Sequence, residues 1–163
     1  MPYCQLYYHL VWATKLRLPL LTPEVEPMIY GYIRSKAIGL GATVYALNGV
    51  EDHVHMVVSI PPAVAVARFV GQVKATASTR FNKSGVSEAR FLWQAEYAAF
   101  SFDRRRLPNY VAYVRGQKGH HRTNQLIPIL ETTENVTRSG VAEASEEYGT
   151  DQLSWQTEML SLF

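Results

Sequence analysis
Apolar and polar positions divide this chain into stretches with two different periods. Residues 3–14, YCQLYYHLVWAT, are crowded with aromatic and β-branched side chains without helical spacing, which predicts a first strand. KLRLPLL follows as a loop. Thr22, Pro23 and Glu24 then offer an N-cap, a first-turn proline and an early acid, and Val25, Met28, Ile29, Ile33 and Ala37 recur at helical spacing. That helix is expected to end at residues 39–41. ATVYALNGV and HVHMVVSI predict strands two and three, an antiparallel hairpin around a tight Glu51-Asp52 turn that Pro61 and Pro62 bring to an end. Val66, Phe69, Val70, Val73 and Ala77 form the apolar stripe of a second helix within residues 63–81, with Arg68, Lys74 and Arg80 on its polar side. FLWQAEYAAFSF predicts a fourth strand, and a third helix starts around Leu107 and Pro108 and runs through NYVAYVRGQKGHHR.

The predicted order is β-α-β-β-α-β-α. Its first six elements form the split βαβ pattern of a ferredoxin-like antiparallel sheet with helices on one face, an α+β fold in which the third helix is an addition. A length of 163 residues suits one such domain with a real core, expected over residues 1–130. Residues 131–163 are polar and weakly patterned, expected to be a flexible or loosely docked extension. GLGA follows a helix and lacks a third glycine, so it is not a dinucleotide fingerprint.

Charge separates the same two regions. Residues 1–130 carry 15 Lys/Arg against 7 Asp/Glu, and residues 131–163 carry 1 against 7, a basic body with an acidic tail. The body suits a polyanionic partner. Hydrophobic content of 47% with 18% charged residues argues against general disorder. Cys4 is the lone cysteine, which excludes an internal disulfide or a cysteine zinc cluster and points to a reducing compartment such as the cytoplasm. Neither a basic leader before a long apolar run nor a membrane-length apolar stretch occurs, so no secretion and no membrane span are expected.

Candidate chemistry begins in HVHMVV. Side chains alternate across a strand, so Val54, Met56, Val58 and Ile60 share one face while His53 and His55 share the other. The pair could be surface histidines making ordinary hydrogen bonds, or two ligands of one ion. In the third helix, Tyr113 and Gln117 lie one turn apart, and Tyr110 and His121 extend their stripe. These could equally be core aromatics with a solvated neighbour. His121, one turn beyond Gln117, could approach a phosphate or an ion, but His120 and His121 at the helix end read as solvated groups favourable to the helix dipole.

Taken together, these segments resemble a known family. EDHVHMVVSIPP is similar to the HUH signature of histidine, bulky hydrophobe and histidine. YVAYVRGQKGHHR is similar to the tyrosine helix of the one-tyrosine HUH transposases of the insertion-sequence 200/605 group, including the REP-associated tyrosine transposases. HLVWATKLRLPLLTPE, FVGQVKATAS and FLWQAEYAAFSF resemble family segments in the same order, so the likeness spans about residues 7–129. It implies that Tyr113 is a nucleophile and that His53, His55 and Gln117 bind a divalent metal. Tyr110 lacks the four-residue spacing to a glutamine.

The residue types agree with that implication. Two imidazoles and an amide leave coordination positions open and suit Mg²⁺ or Mn²⁺ shared with a phosphate oxygen, whereas structural zinc wants a closed set of four ligands. Asp52 can orient an imidazole or serve only as a turn residue. Lys15, Arg17, Lys74, Arg104, Arg105 and Arg106 are candidate phosphate contacts, each also readable as solvated charge. No phosphate-binding G-x-x-x-x-G-K-[ST] loop is present, so no nucleotide cofactor is expected.

The resemblance further implies cleavage and rejoining of single-stranded DNA through a 5′-phosphotyrosine, recognition of DNA hairpins, and a cytoplasmic, nucleoid-associated site of action. It also implies a homodimer in which the tyrosine helix of one subunit can face the histidines of the other, although the REP-associated relatives are monomers. The acidic extension departs from the short basic ends of the family. Two other classes stay open: a domesticated hairpin-binding protein that does not cut, and an unrelated ferredoxin-like metalloprotein acting on small molecules.

Overall fold
The computed structural model describes residues 2–133. Their elements are β1 (Tyr7–Ala13), α1 (Glu26–Gly39), β2 (Thr43–Val50), β3 (His53–Ser59), α2 (Val66–Ser84), β4 (Ala98–Phe102), α3 (Leu107–Arg115) and α4 (Gln117–Thr123). Short 3₁₀ turns occupy Lys15–Arg17, Arg104–Arg106 and Pro128–Glu131. The strands form an antiparallel sheet in the order β2-β3-β1-β4, the ferredoxin-like arrangement predicted from the sequence. No described helix is long and apolar enough to cross a membrane.

Strand alternation assigns the two faces. Leu10 and Trp12 of β1 join Val54, Met56 and Val58 of β3 beneath α1 and α2, where Ile29, Ile33, Phe69 and Val73 complete the main core. The opposite face carries His9, His53, His55 and Val57. It is not open to solvent: α3 lays Tyr110, Tyr113 and Val114 over it, with Ile127 and Leu130 closing the edge as a second apolar cluster. Helices therefore cover both faces: α1 and α2 lie on one side, as the ferredoxin-like pattern predicts, and the added tyrosine-bearing helix lies on the other, over the histidines. The reason is apolar: Ala46, Val57 and Phe102 point to that side and need a cover.

The chain departs locally from these expectations in three places. The expected fourth strand is regular only from Ala98; before it, Trp93 makes only an isolated bridge to Thr14 and packs edge-on against Phe91. Lys74 serves the backbone of residues 94–96, its Nζ donating to the carbonyls of Gln94, Ala95 and Glu96 at 2.6, 3.0 and 3.1 Å. Lys74 is buried, so its placement on the polar side of α2 as a DNA contact is corrected to an internal cap. Desolvation takes its pKa down to about 8 against the opposing charge of Glu96. The single expected third helix is divided at Gly116, where ψ is 3°.

Two connections position the functional face. In the β2–β3 hairpin, a Cβ on Gly49 would lie 2.2 Å from the His53 carbonyl oxygen, so only glycine allows the close turn that delivers His53. Lys118 at the start of α4 donates to Glu26 (2.9 Å), Asn48 Oδ1 (2.8 Å) and the Gly49 carbonyl (3.0 Å), while Asn48 Nδ2 donates to the Arg115 carbonyl at 2.9 Å. Helix and hairpin are tied within one chain. The expected boundary at residue 130 falls inside this body, since Leu130 is buried and Glu131 turns inward. The rest of the expected extension, from residue 134, lies outside the described residues.

Candidate active site
His53 and His55 stand two residues apart on β3 and are both buried. Each is held from behind at Nδ1. His53 Nδ1 donates to Asp52 Oδ1 at 2.5 Å, and Asp52 Oδ2 in turn accepts from Arg17 Nη1 at 3.5 Å. His55 Nδ1 lies 2.9 Å from Nε2 of His9, which comes from β1 and stacks on the His55 ring at 5.1 Å and 12°. Ligating histidines are oriented by a partner on the second ring nitrogen, and both rings here have one. Their Nε2 atoms are left to face the same space.

The helices supply the other half. Tyr113 and Gln117 are fully buried one turn apart, and His121 follows a turn later. The Tyr113 hydroxyl accepts the Ile127 N–H at 3.1 Å, and the His120 ring stacks on its ring at 5.1 Å and 20°. Gly116 makes that stack possible, because a Cβ there would meet His120 Nε2 at 2.8 Å. Tyr110 lies apart from the carboxylate contact, stacked on Phe102 at 4.0 Å.

Glu131 occupies the centre. Its Oε2 lies 3.0, 3.2 and 3.2 Å from Nε2 of His53, His55 and His121. Its Oε1 accepts a short hydrogen bond from the Tyr113 hydroxyl and another from Gln117 Nε2 at 3.3 Å. Burial works against the Glu131 charge, but the bonds from His53 and His55 outweigh it and hold the carboxyl well below its usual range.

The same contacts set the neighbouring groups. Carboxylates flank His53 at both nitrogens, which can donate to both only as an imidazolium; burial opposes this, yet Asp52 and Glu131 prevail and its pKa rises. His55 goes the other way, to about 4, because complete burial exceeds the pull of Glu131. Burial, reinforced by Glu131, raises the Tyr113 phenol above its ordinary value. The site has the donors a divalent cation needs: nitrogen atoms of His53, His55 and His121 and a Glu131 oxygen lie within 4.8 Å of one another. Among the described residues the buried Gln117 Oε1 has no hydrogen-bond partner, an acceptor left over beside that set.

Sequence reasoning brought together His53, His55, Tyr113, Gln117 and Asp52, and missed three others. His9 was legible in principle, since residues 7, 9 and 11 of β1 share a face and antiparallel register sets His9 against Val57, diagonal to His55. His121 is four residues beyond Gln117 on the same helix face, but was read as solvated. Glu131 had only the apolar spacing of Ile127 and Leu130 before it as a sign of ordered chain. Of the candidate DNA contacts, Lys15 and Arg17 lie on the exposed turn after β1, with Arg17 Nη2 also donating to Thr133 at 3.1 Å. Arg104, Arg105 and Arg106 sit before α3, about two helical turns from Tyr113. Lys74 is remote in role, capping carbonyls.

Known proteins match this chain. The family described as "Transposase IS200 like" matches residues 2–117. The ISDra2 transposase TnpA of Deinococcus radiodurans is 34% identical over 76 residues, 47% of this chain and 54% of that protein, so the match spans about half the length of that relative. Two solved structures share the fold. A Deinococcus radiodurans crystal structure described as a transposase has 24% identity and a TM-score of 0.57, covering 77% of this chain and 95% of the other. A REP-associated tyrosine transposase bound to a REP hairpin has 12% identity and a TM-score of 0.58, covering 88% of this chain and 97% of the other. The family match takes in His53, His55, Tyr113 and Gln117 and stops before Glu131. On the extent of that match, this chain belongs to the family of IS200-like transposases.

Proposed function
We propose that this chain cleaves and rejoins single-stranded DNA beside a hairpin, with Tyr113 as nucleophile and a divalent ion next to it. One observation carries the proposal: in a member of the IS200-like family, the Tyr113 hydroxyl, the Gln117 amide and the Nε2 atoms of His53 and His55 converge on a single carboxylate. Mg²⁺ or Mn²⁺ held by His53, His55 and Gln117 supplies Lewis-acid polarisation of the scissile phosphate.

The chain's own groups do the rest. Asp52 and His9 fix the two imidazoles, while the Ile127 N–H and the His120 ring fix the phenol. The phenol is protonated before DNA arrives, its hydroxyl donating to Glu131. In cleavage the Tyr113 oxygen gives up its proton and bonds to phosphorus, the bond to the 3′ oxygen breaks, and that oxygen leaves with a proton as a 3′-hydroxyl. The 5′-phosphate stays on Tyr113. Attack by a 3′-hydroxyl on this phosphotyrosine reverses the step, so the phosphodiester is conserved and no nucleotide cofactor is needed.

Charge and shape support a DNA partner. The excess of 15 Lys/Arg over 7 Asp/Glu in residues 1–130 favours a polyanion. We assign phosphate contacts to Lys15 and Arg17 at the rim by Asp52 and to Arg104, Arg105 and Arg106 at the head of α3. Hairpin recognition is carried over from the relative bound to a REP hairpin. In the single chain the tyrosine helix faces the histidines of the same subunit, and the homodimer that the resemblance implies stays part of the proposal.

The test is incubation of the full chain with hairpin-bearing single-stranded DNA and Mn²⁺, followed by a denaturing gel. A covalent protein-DNA band is expected, lost in Tyr113→Phe and on chelation. A band that survives Tyr113→Phe and disappears in Tyr110→Phe overturns the assignment of the nucleophile, and binding without any band favours a non-cutting hairpin binder.

A further inference from the structure
We infer that Glu131 and His121 are ligands of the metal centre, so that the ion is held by a carboxylate and three imidazoles beside the Gln117 amide. The inference rests on the metal site proposed above and enlarges it with residues beyond the matched family segment.

Geometry supplies the first reason. Three Nε2 atoms, from β3 and α4, point at one oxygen of Glu131 at 3.0 to 3.2 Å, and the four donor atoms form a cluster no wider than 4.8 Å. Two of the three imidazoles are braced at their far nitrogens by Asp52 and His9. Such bracing is what a ligating histidine needs and a surface histidine lacks.

Anchoring supplies the second. Glu131 ends a 3₁₀ turn whose Ile127 and Leu130 are 1% exposed, and the next buried residue, Thr133, accepts from Arg17 at 3.1 Å. The Ile127 N–H is bonded to the Tyr113 hydroxyl itself. Swinging this segment away exposes Ile127 and Leu130 to water, which burial of their side chains opposes. The carboxylate therefore stays within reach of the ion, which distinguishes a built-in ligand from a detachable plug. Two or more imidazoles with one carboxylate suit Mn²⁺ better than Mg²⁺, which prefers oxygen donors throughout.

Binding of Mn²⁺ to the full chain, followed by the loss of the free-ion paramagnetic resonance signal, tests this without reference to DNA. Glu131→Gln keeps the side-chain shape, and His121→Asn changes a partly exposed side chain, so one can report if the other disturbs folding, which circular dichroism in chelator checks. Each is expected to weaken Mn²⁺ binding about ten-fold or more, and the parent chain is expected to bind Mn²⁺ more tightly than Mg²⁺. Folded Glu131→Gln and His121→Asn proteins that bind Mn²⁺ within about two-fold of the parent overturn the inference. Faster adduct formation by that Glu131→Gln protein then makes Glu131 an occupant that DNA displaces. The two readings fail separately: weakened Mn²⁺ binding in a chain that never forms an adduct sinks only the cleavage reading, and unchanged binding with a Tyr113-dependent adduct sinks only this one.

Discussion
The two faces of the sheet are built on opposite terms. Beneath α1 and α2, Leu10, Trp12, Val54, Met56 and Val58 meet other apolar side chains, and burial alone holds the layers together. Beneath α3 and α4, the same two strands present His9, His53 and His55, buried as deeply, which must find partners in Asp52, Glu131 and one another. One face tolerates apolar exchange of similar volume; the other is a polar network in which every member depends on the rest. Stability resides mainly on the first and chemistry on the second.

The largest effect that can separate them is on the nucleophile. Tyr113→Phe is expected to reduce adduct formation by at least about 10³-fold on a denaturing gel, while Tyr110→Phe, at a ring stacked on Phe102, retains it. Adjacent residues on β3 sharpen the contrast next. His55→Ala is expected to weaken Mn²⁺ binding about 100-fold, whereas Met56→Ala, pointing to the other core, costs about 2–5 kcal/mol in denaturant unfolding and leaves Mn²⁺ affinity within about two-fold. Equal losses of metal binding would erase the distinction between the faces.

Acid probes the polar face alone. The folded pKa of His55 is lowered from 6.5 to about 4, so the unfolded chain binds more protons between those values. Its contribution is complete above about pH 6.5 and lost as pH falls toward 4. The size is on the order of 3 kcal/mol. The depressed Asp52 and Glu131 carboxyls add to acid lability below the normal carboxylate range, and the raised pKa of His53 opposes it. Urea unfolding of the chelated chain at pH 7 and 4.5 measures the net loss; greater stability at pH 4.5 contradicts a neutral, buried His55.

The smallest effect distinguishes two cations read alike in the sequence. Lys74→Met, stripping three carbonyls of their donor, is expected to cost about 1–3 kcal/mol in stability and to leave the salt dependence of single-stranded DNA binding unchanged. Arg17→Gln is expected to lower the slope of log affinity against log salt by about 0.7, with a smaller loss of stability.

Legibility in the sequence follows the range of each contact. Period and punctuation located the elements and the hairpin and put His53 with His55, and Tyr113 with Gln117, on single faces, because strand parity and helical spacing are local properties of HVHMVV and YVRGQ; only the family resemblance joined the two faces. Lys74 was misplaced because its acceptors lie about twenty residues away, on a segment that looked like strand but is not. Glu131 was assigned to the acidic extension for the same reason: composition groups it with its neighbours, while Ile127 and Leu130 carry it into a cluster built from β3 and α4. How fully the tyrosine helix covers the second face is left open by the sequence, because a sheet's parity does not say how much will pack upon it.

The seven residues of α4 are too few to hold a helix in water by themselves. What keeps this segment wound is what it touches: Gln117 and His121 on the Glu131 carboxylate, and Lys118 on the hairpin. Winding of this turn and closing of the site are thus a single cooperative event, and the amide protons of α4 keep time for both, exchanging with solvent only when the site itself comes apart.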